Sequence, residues 1–134
     1  MKEALVEHVW ERARGRCEYC CLSQVLSNFS FEIDHIIARK HGGKTVASNL
    51  ALTCFFCNSY KGPNLAGIDP RSKRVVPLFN PRRNKWSRHF RWKGPVLVGR
   101  TARGRATIDV LQINHPESIE VRQSLIAEDL FPPE

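Results

Sequence analysis

Four of the five cysteines form two Cys-x-x-Cys pairs, Cys17-Glu18-Tyr19-Cys20 and Cys54-Phe55-Phe56-Cys57. A two-residue spacing lets both sulfurs of a pair point at one ion from a tight turn. One such pair on its own could be a redox dithiol. Two of them, with no thioredoxin-like strand-helix context around either, point instead to four thiolates about one tetrahedral zinc. Such a site keeps no open position, so its role is structural, and it ties the first turn to the start of a later element. Cys21 is read as a free thiol, because a four-coordinate ion has no use for a fifth sulfur.

Between the pairs lies Asp34-His35, and Asn49, Asn58 and Lys61 follow. These residue types suit hydrolysis rather than thiol chemistry. A neutral imidazole can take a proton from water near physiological pH, which makes His35 a candidate general base. Asp34 offers a carboxylate oxygen and Asn58 an amide oxygen, donors that suit Mg2+ or Mn2+ better than sulfur would. Asn49 has two readings: it can accept a hydrogen bond from one imidazole nitrogen and so fix the tautomer, or it can cap a turn. Lys61, one turn beyond Asn58 on a continuing helix, could meet phosphate as a point charge. His41 has no evident partner and is read as a surface residue.

The elements that must position these residues follow from periodicity. Apolar Leu5, Val6, Val9, Trp10 and Ala13 recur at three- and four-residue spacing, which predicts an amphipathic helix from Lys2 to Arg14, stopped at Gly15. Residues 29–37 alternate and then become continuously apolar, the pattern of a strand with a buried end. Adjacent strand residues face opposite ways, so Asp34 and His35 can share a site only where the strand ends or bends. Residues 38–44 read as a Gly-Gly turn. Ser48 or Asn49 then caps a helix or turn leading to the second cysteine pair, and a short helix follows from Cys57 to Tyr60, stopped by Gly62-Pro63. Further on, residues 75–81 read as extended, 95–101 as a strand and 102–105 as a turn. Residues 106–114 fit a helix or a strand, and a last helix starting near Pro116 docks its stripe of Ile119, Val121, Leu125, Ile126 and Leu130 on the core.

Charge is concentrated in one block. Residues 71–105 carry twelve Lys or Arg and no Asp or Glu, whereas residues 1–70 carry eight against seven and residues 106–134 one against six. A segment of that length without a carboxylate suggests a polyanionic partner bound in a salt-dependent way. Within it Arg82, Arg83, Lys85 and Arg88 are the candidate phosphate contacts, interleaved with Trp86, Phe90 and Trp92. Those rings are read as core residues whose charged neighbours point outward, with base stacking as the competing role. No stretch has the length of a signal peptide's apolar run or of a membrane span, which places the expected location in the cytoplasm.

Asp34-His35, Asn49-Leu50 and Cys54-x-x-Cys57-Asn58-x-x-Lys61-Gly62 together resemble the HNH endonuclease motif in its zinc-containing form, with asparagine in place of the final histidine. The resemblance implies a β-hairpin and helix folded about one catalytic divalent metal with a structural zinc beside it. It also implies that Asp34 and Asn58 share that metal and that the middle asparagine, Asn49, orients the imidazole. Asparagine at position 58 tilts the site toward hard ions such as magnesium.

The expectation is therefore one α+β domain over 1–134. It has a zinc-stabilised ββα-metal (His-Me finger) nuclease core over 15–62, an N-terminal helix, and a basic α/β extension over 71–134 packed on the core. Its expected activity is metal-dependent hydrolysis of DNA phosphodiesters, with RNA as a further possible partner. A zinc-scaffolded nucleic-acid-binding module without catalysis is the alternative.

Overall fold

The computed structural model describes residues 1–133. Chain order is helix α1 (Glu3–Ala13), strands β1 (Glu32–His35) and β2 (Leu50–Thr53), and helix α2 (Phe55–Lys61). Strands β3 (Ala66–Ile68) and β4 (Val75–Pro77), the short helix α3 (Trp86–His89), strands β5 (Phe90–Lys93) and β6 (Val96–Gly99), and helices α4 (Ala102–Val110) and α5 (Pro116–Ala127) follow. The strands pair as three separate antiparallel two-stranded sheets. A lone two-stranded hairpin is marginal in water, so each depends on what covers it.

Helix α1 buries Val9 and packs Leu5, Trp10 and Ala13 on the core, with Trp10 stacked on Phe31 at 6.3 Å. It stops as the glycine predicts: Gly15, at φ +67°, donates its N–H to the Trp10 carbonyl at 3.1 Å. The Arg12 guanidinium reaches the carbonyls of Ala47 at 2.9 Å and Leu50 at 2.7 Å, fastening α1 to the start of β2.

All four residues of β2 are buried, and β1 pairs with it in the register Asp34↔Ala51 and His35↔Leu50. The strand expected over 29–37 is thus cut at both ends. It stops at His35, where the paired and alternating geometry gives way to a bend, so the condition for Asp34 and His35 to share a site is met.

One apolar cluster runs from Val9 through the four paired cysteines, Leu50 and Leu52 to Phe79, Phe90, Leu97, Leu111 and Ile113. The aromatic rings of the basic block belong to it. Phe90 is buried, Trp86 donates its indole N–H to the Tyr19 carbonyl at 2.9 Å, and Trp92 packs edge-on against Phe131 at 4.9 Å.

Two expectations for the extension are corrected. Residues 102–105 are the first turn of α4, not a loop, and Thr101 caps that helix by accepting from the Gly104 N–H at 3.0 Å. Gly104 marks a close approach: a β-carbon there would lie 2.2 Å from the His89 carbonyl oxygen. The last helix begins at Pro116 as expected, but Val121 and Leu130 of its apolar stripe are exposed and the buried residue is Arg122. Arg122 donates to the carbonyls of Pro95 at 2.7 Å and Ile113 at 2.9 Å and lies 5.1 Å from the Trp92 ring centre. Chain ends of β6 and α4 leave carbonyls without partners, and a planar guanidinium satisfies several at once.

Candidate functional site

The two Cys-x-x-Cys turns face each other. Cys17 opens a tight knuckle in which its N–H bonds the Leu22 carbonyl at 2.8 Å and its carbonyl accepts from Cys21 at 2.9 Å. Cys54 is the N-cap of α2, its sulfur accepting from the Cys57 N–H at 3.4 Å, so Cys57 sits in the first helical turn. The four sulfurs lie within 4.8 Å of one another, and those of Cys20 and Cys54 are 3.7 Å apart. Zinc–sulfur bonds of about 2.3 Å arranged tetrahedrally put neighbouring sulfurs about 3.8 Å apart, so the cluster fits a structural zinc. Cys21 stands outside it, its thiol pushed up to about 12, first by burial.

Glu18, inside the first knuckle, ties the cluster to the hairpin: its carboxylate accepts from Leu52 N–H at 2.8 Å, and its own N–H donates to the Leu52 carbonyl at 2.9 Å. The same carboxylate pairs with Arg82, whose guanidinium also reaches the Leu50 carbonyl at 3.2 Å.

Beside the zinc cluster, Asp34, His35 and Asn58 line one open cleft together with Arg39, Gly62 and Pro63. The end of β1 supplies the first two and the middle of α2 the third. Asp34 is 7% exposed, and burial pushes its carboxyl above the ordinary value while the Lys61 ammonium pulls against that rise. Lys61 Nζ lies 2.9 Å from Asp34 Oδ2, an ion pair without the alignment of a hydrogen bond, so Oδ2 is a buried oxygen with no hydrogen-bond donor. The other oxygen, Oδ1, has no hydrogen bond and is not closed off from solvent, and an open carboxylate oxygen beside an amide in one cleft is a donor set that fits a hard divalent cation.

The His35 ring is held by a residue that sequence reasoning missed. Its Nε2 lies 2.8 Å from the Thr45 hydroxyl, which leaves Nδ1 without a protein partner among the described residues. Of the two jobs expected of it, Asn49 takes the one in the turn and does not touch the imidazole. Its Oδ1 accepts from Ile37 N–H at 2.9 Å, and its Nδ2 donates to the carbonyls of Ile37 at 3.0 Å and Lys44 at 2.9 Å. The amide clamps the loop that carries Thr45 instead of touching the imidazole. Gly43 lies under the clamp: a β-carbon there would stand 1.6 Å from the Ile37 carbonyl oxygen and 2.9 Å from Asn49 Nδ2.

Two of the residues assigned to phosphate face inward. Lys61 is 1% exposed and spends its donors on Asp34 and on the His35 carbonyl at 3.3 Å, because the helix turn that carries Asn58 to the cleft rolls Lys61 beneath β1. Arg82 is held by Glu18. Arg83, Lys85 and Arg88 are exposed, and so is Arg39, a cation at the cleft that the reading of 38–44 as a plain turn passed over.

A family model covers this part of the sequence. Residues 17–64 match the HNH endonuclease family. That HNH segment holds the zinc cluster, the β1–β2 hairpin, α2 and the cleft. The chain is also similar to the Septu protein PtuB of Bacillus thuringiensis, 26% identical over 119 residues covering 87% of this chain. It spans 43% of that relative's length. No solved structure matches the chain at a significant level. Among the described residues no helix is long and apolar enough to cross a membrane.

Proposed function

We propose that this chain is a metal-dependent HNH endonuclease that hydrolyses DNA phosphodiesters in the cleft of Asp34, His35 and Asn58. The observation that carries the reading is the gathering of those three side chains, from two different elements, in one cleft with Arg39. With Nε2–H given to the Thr45 hydroxyl, His35 Nδ1 is the nitrogen that accepts a proton from water and so generates the attacking hydroxide. Asp34 and Asn58 would hold Mg2+ or Mn2+ through their side-chain oxygens. Bound there, such an ion supplies positive charge to the developing phosphate oxyanion. Arg39 adds a fixed cation at the rim, and Arg83, Lys85 and Arg88 give the strand a basic surface to lie on. The hairpin and α2 correspond in this reading to the ββα-metal core, with 71–134 as an extension that braces it.

One observation favours the competing reading of a zinc-scaffolded binding module: the Lys61 ammonium already meets Asp34 Oδ2. A cleavage assay decides between them. Purified protein is incubated with duplex, branched and single-stranded DNA and with RNA, with Mg2+ or Mn2+ supplied. Metal-dependent cleavage that His35→Ala abolishes, with zinc content and circular dichroism unchanged, is the expected result. Tight binding of every substrate with no cleavage of any would make it the binding module.

A further inference from the structure

A second cleft of about 290 Å3 adjoins the first, and its wall includes Ile36 and Lys61, the neighbours of His35 and Asp34. The HNH segment supplies one side of it and the extension the other. Its apolar surface comes in part from Ile37 and Leu65, each 43% exposed and without a covering side chain. Besides Lys61 its polar lining is Asn64, Asn80, Arg83, Asn84 and Arg103, and no carboxylate lines it. The Arg83 guanidinium has no hydrogen bond or ion pair among the described residues, and Arg103 gives one nitrogen to Asn84 Oδ1 at 2.6 Å.

The loop that presents these cations is rigidly tied. Phe79 N–H donates to the Thr107 hydroxyl at 2.8 Å, and that hydroxyl donates to the Arg103 carbonyl at 2.8 Å. Asn80 N–H donates to Asn84 Oδ1 at 2.9 Å, and Arg82 N–H to Asn80 Oδ1 at 2.9 Å. The Phe79-Asn80-Pro81-Arg82 and Gly104-Arg105-Ala106-Thr107 segments of the sequence thus meet in one framework. A framework of that kind fixes the backbone that carries Arg83 and holds the Arg103 guanidinium on Asn84 before any ligand arrives, which is how a site lowers the ordering cost of binding.

We propose that this second cleft takes an unpaired nucleotide of the substrate strand, next to the scissile phosphate. Its phosphate lies on Arg83 and Arg103 and its base against Ile37 and Leu65, with the Asn64 amide at the base edge. Guanidinium groups grip phosphate oxygens in pairs, and an apolar wall with an amide at its rim suits a heterocycle whose own pairing edge is free. A paired base is turned inward and cannot enter, so the cleft selects strands that are single or splayed. This inference rests on the nuclease reading of the neighbouring site.

The test uses the His35→Ala full-length protein, to keep probes intact, and fluorescence anisotropy at one fixed salt concentration. Probes are a labelled 12-nucleotide single strand, the same sequence as a duplex, and a mononucleotide as competitor. The single strand is expected to bind roughly tenfold more tightly than the duplex, with the mononucleotide competing only at far higher concentration. Leu65→Trp and Ile37→Trp each fill the cleft from an exposed position without changing charge. Either one that retains zinc and its melting temperature is expected to erase the single-strand preference and leave duplex binding unchanged. Arg83→Ala is expected to weaken the single strand more than the duplex.

Unchanged single-strand binding in the tryptophan variants, or equal weakening of both probes by Arg83→Ala, overturns the cleft as a nucleotide site. A mononucleotide that binds as tightly as the strand overturns the strand as its source. Metal-dependent cleavage by the parent chain without single-strand preference removes this inference alone. Preference without cleavage upholds the cleft and removes the nuclease reading.

Discussion

Lys61 shows how much one side chain's direction can decide. A lysine at 1% exposure is tolerable only with its charge matched, and Asp34 Oδ2 at 2.9 Å is the match. Holding Oδ2 fixes the carboxylate, so the other oxygen, Oδ1, is the one that Asp34 brings to the cleft. Lys61 is in this reading a positioning residue for the metal ligand and not a phosphate contact. Lys61→Met, close in length and without charge, is expected to lower Mn2+ affinity by about 10–100-fold, the usual cost of losing such a supporting partner. Electron paramagnetic resonance of bound Mn2+ reads that directly, with zinc content as the control. Unchanged Mn2+ affinity would return Lys61 to a purely structural role. Residue types suggested a chemistry for each site, since thiolates, a carboxylate, an imidazole and an amide each have a narrow range of use. They did not tell direction: Asn58 and Lys61 are three residues apart on α2, and only the packing of that helix under β1 sends one to the cleft and the other inside.

Among the elements, the loop between β1 and β2 is the one most finely set, because the Asn49 amide, the Ile37 backbone and the Gly43 backbone occupy one small volume. Gly43→Ala is expected to open that clamp, release Thr45 from His35 and reduce cleavage far more than it changes helix content. Parallel cleavage assays and circular dichroism test this, and full activity in Gly43→Ala would show that the clamp is dispensable. A second tied element is the β3–β4 hairpin. Asp69 accepts from the Arg71 and Ser72 N–H groups and the Ser72 hydroxyl and pairs with Arg105 at 2.9 Å. Its side chain is covered, and burial pushes its carboxyl up, against stronger pulls downward. Arg105 first and Ser72 second hold it well below the usual carboxylate range. A depressed folded value means that the contribution is complete above the unfolded value near ~3.9 and fades as pH falls through the folded one. Melting temperatures of wild type and Asp69→Asn are therefore expected to differ above about pH 4 and to converge as the solution is acidified. A gap that stays constant down through that window would rule the linkage out. Sequence periodicity found α1 and the start of α5, where a single stripe or a proline marks the element. It failed at 102–105 because Gly104 has the look of a turn residue, whereas its lack of a side chain serves a contact with His89, distant in sequence.

For the molecule as a whole, a zinc held by the four cysteines would, in the nuclease reading, link frame to chemistry, since Cys57 lies in the core and Asn58, the next residue, lines the cleft. Stripping zinc with a strong chelator is expected to lose cleavage and the cooperative melting transition together, and restoring zinc alone, before any Mg2+, is expected to recover the transition. Activity that outlasts zinc removal would separate the two. The Glu18–Arg82 pair extends that linkage beyond the segment the family model covers. Glu18 belongs to the first cysteine knuckle, Arg82 to the extension, and both hold the backbone of β2, while Trp86 reaches Tyr19 from the same side. Protein engineers who would graft the HNH segment onto another carrier by cutting after residue 64 would leave Glu18 without its cation and the Tyr19 carbonyl without its donor. The portable unit is the chain through Phe131, since Arg122 covers the Trp92 ring at 5.1 Å and the buried Phe131 packs edge-on against it.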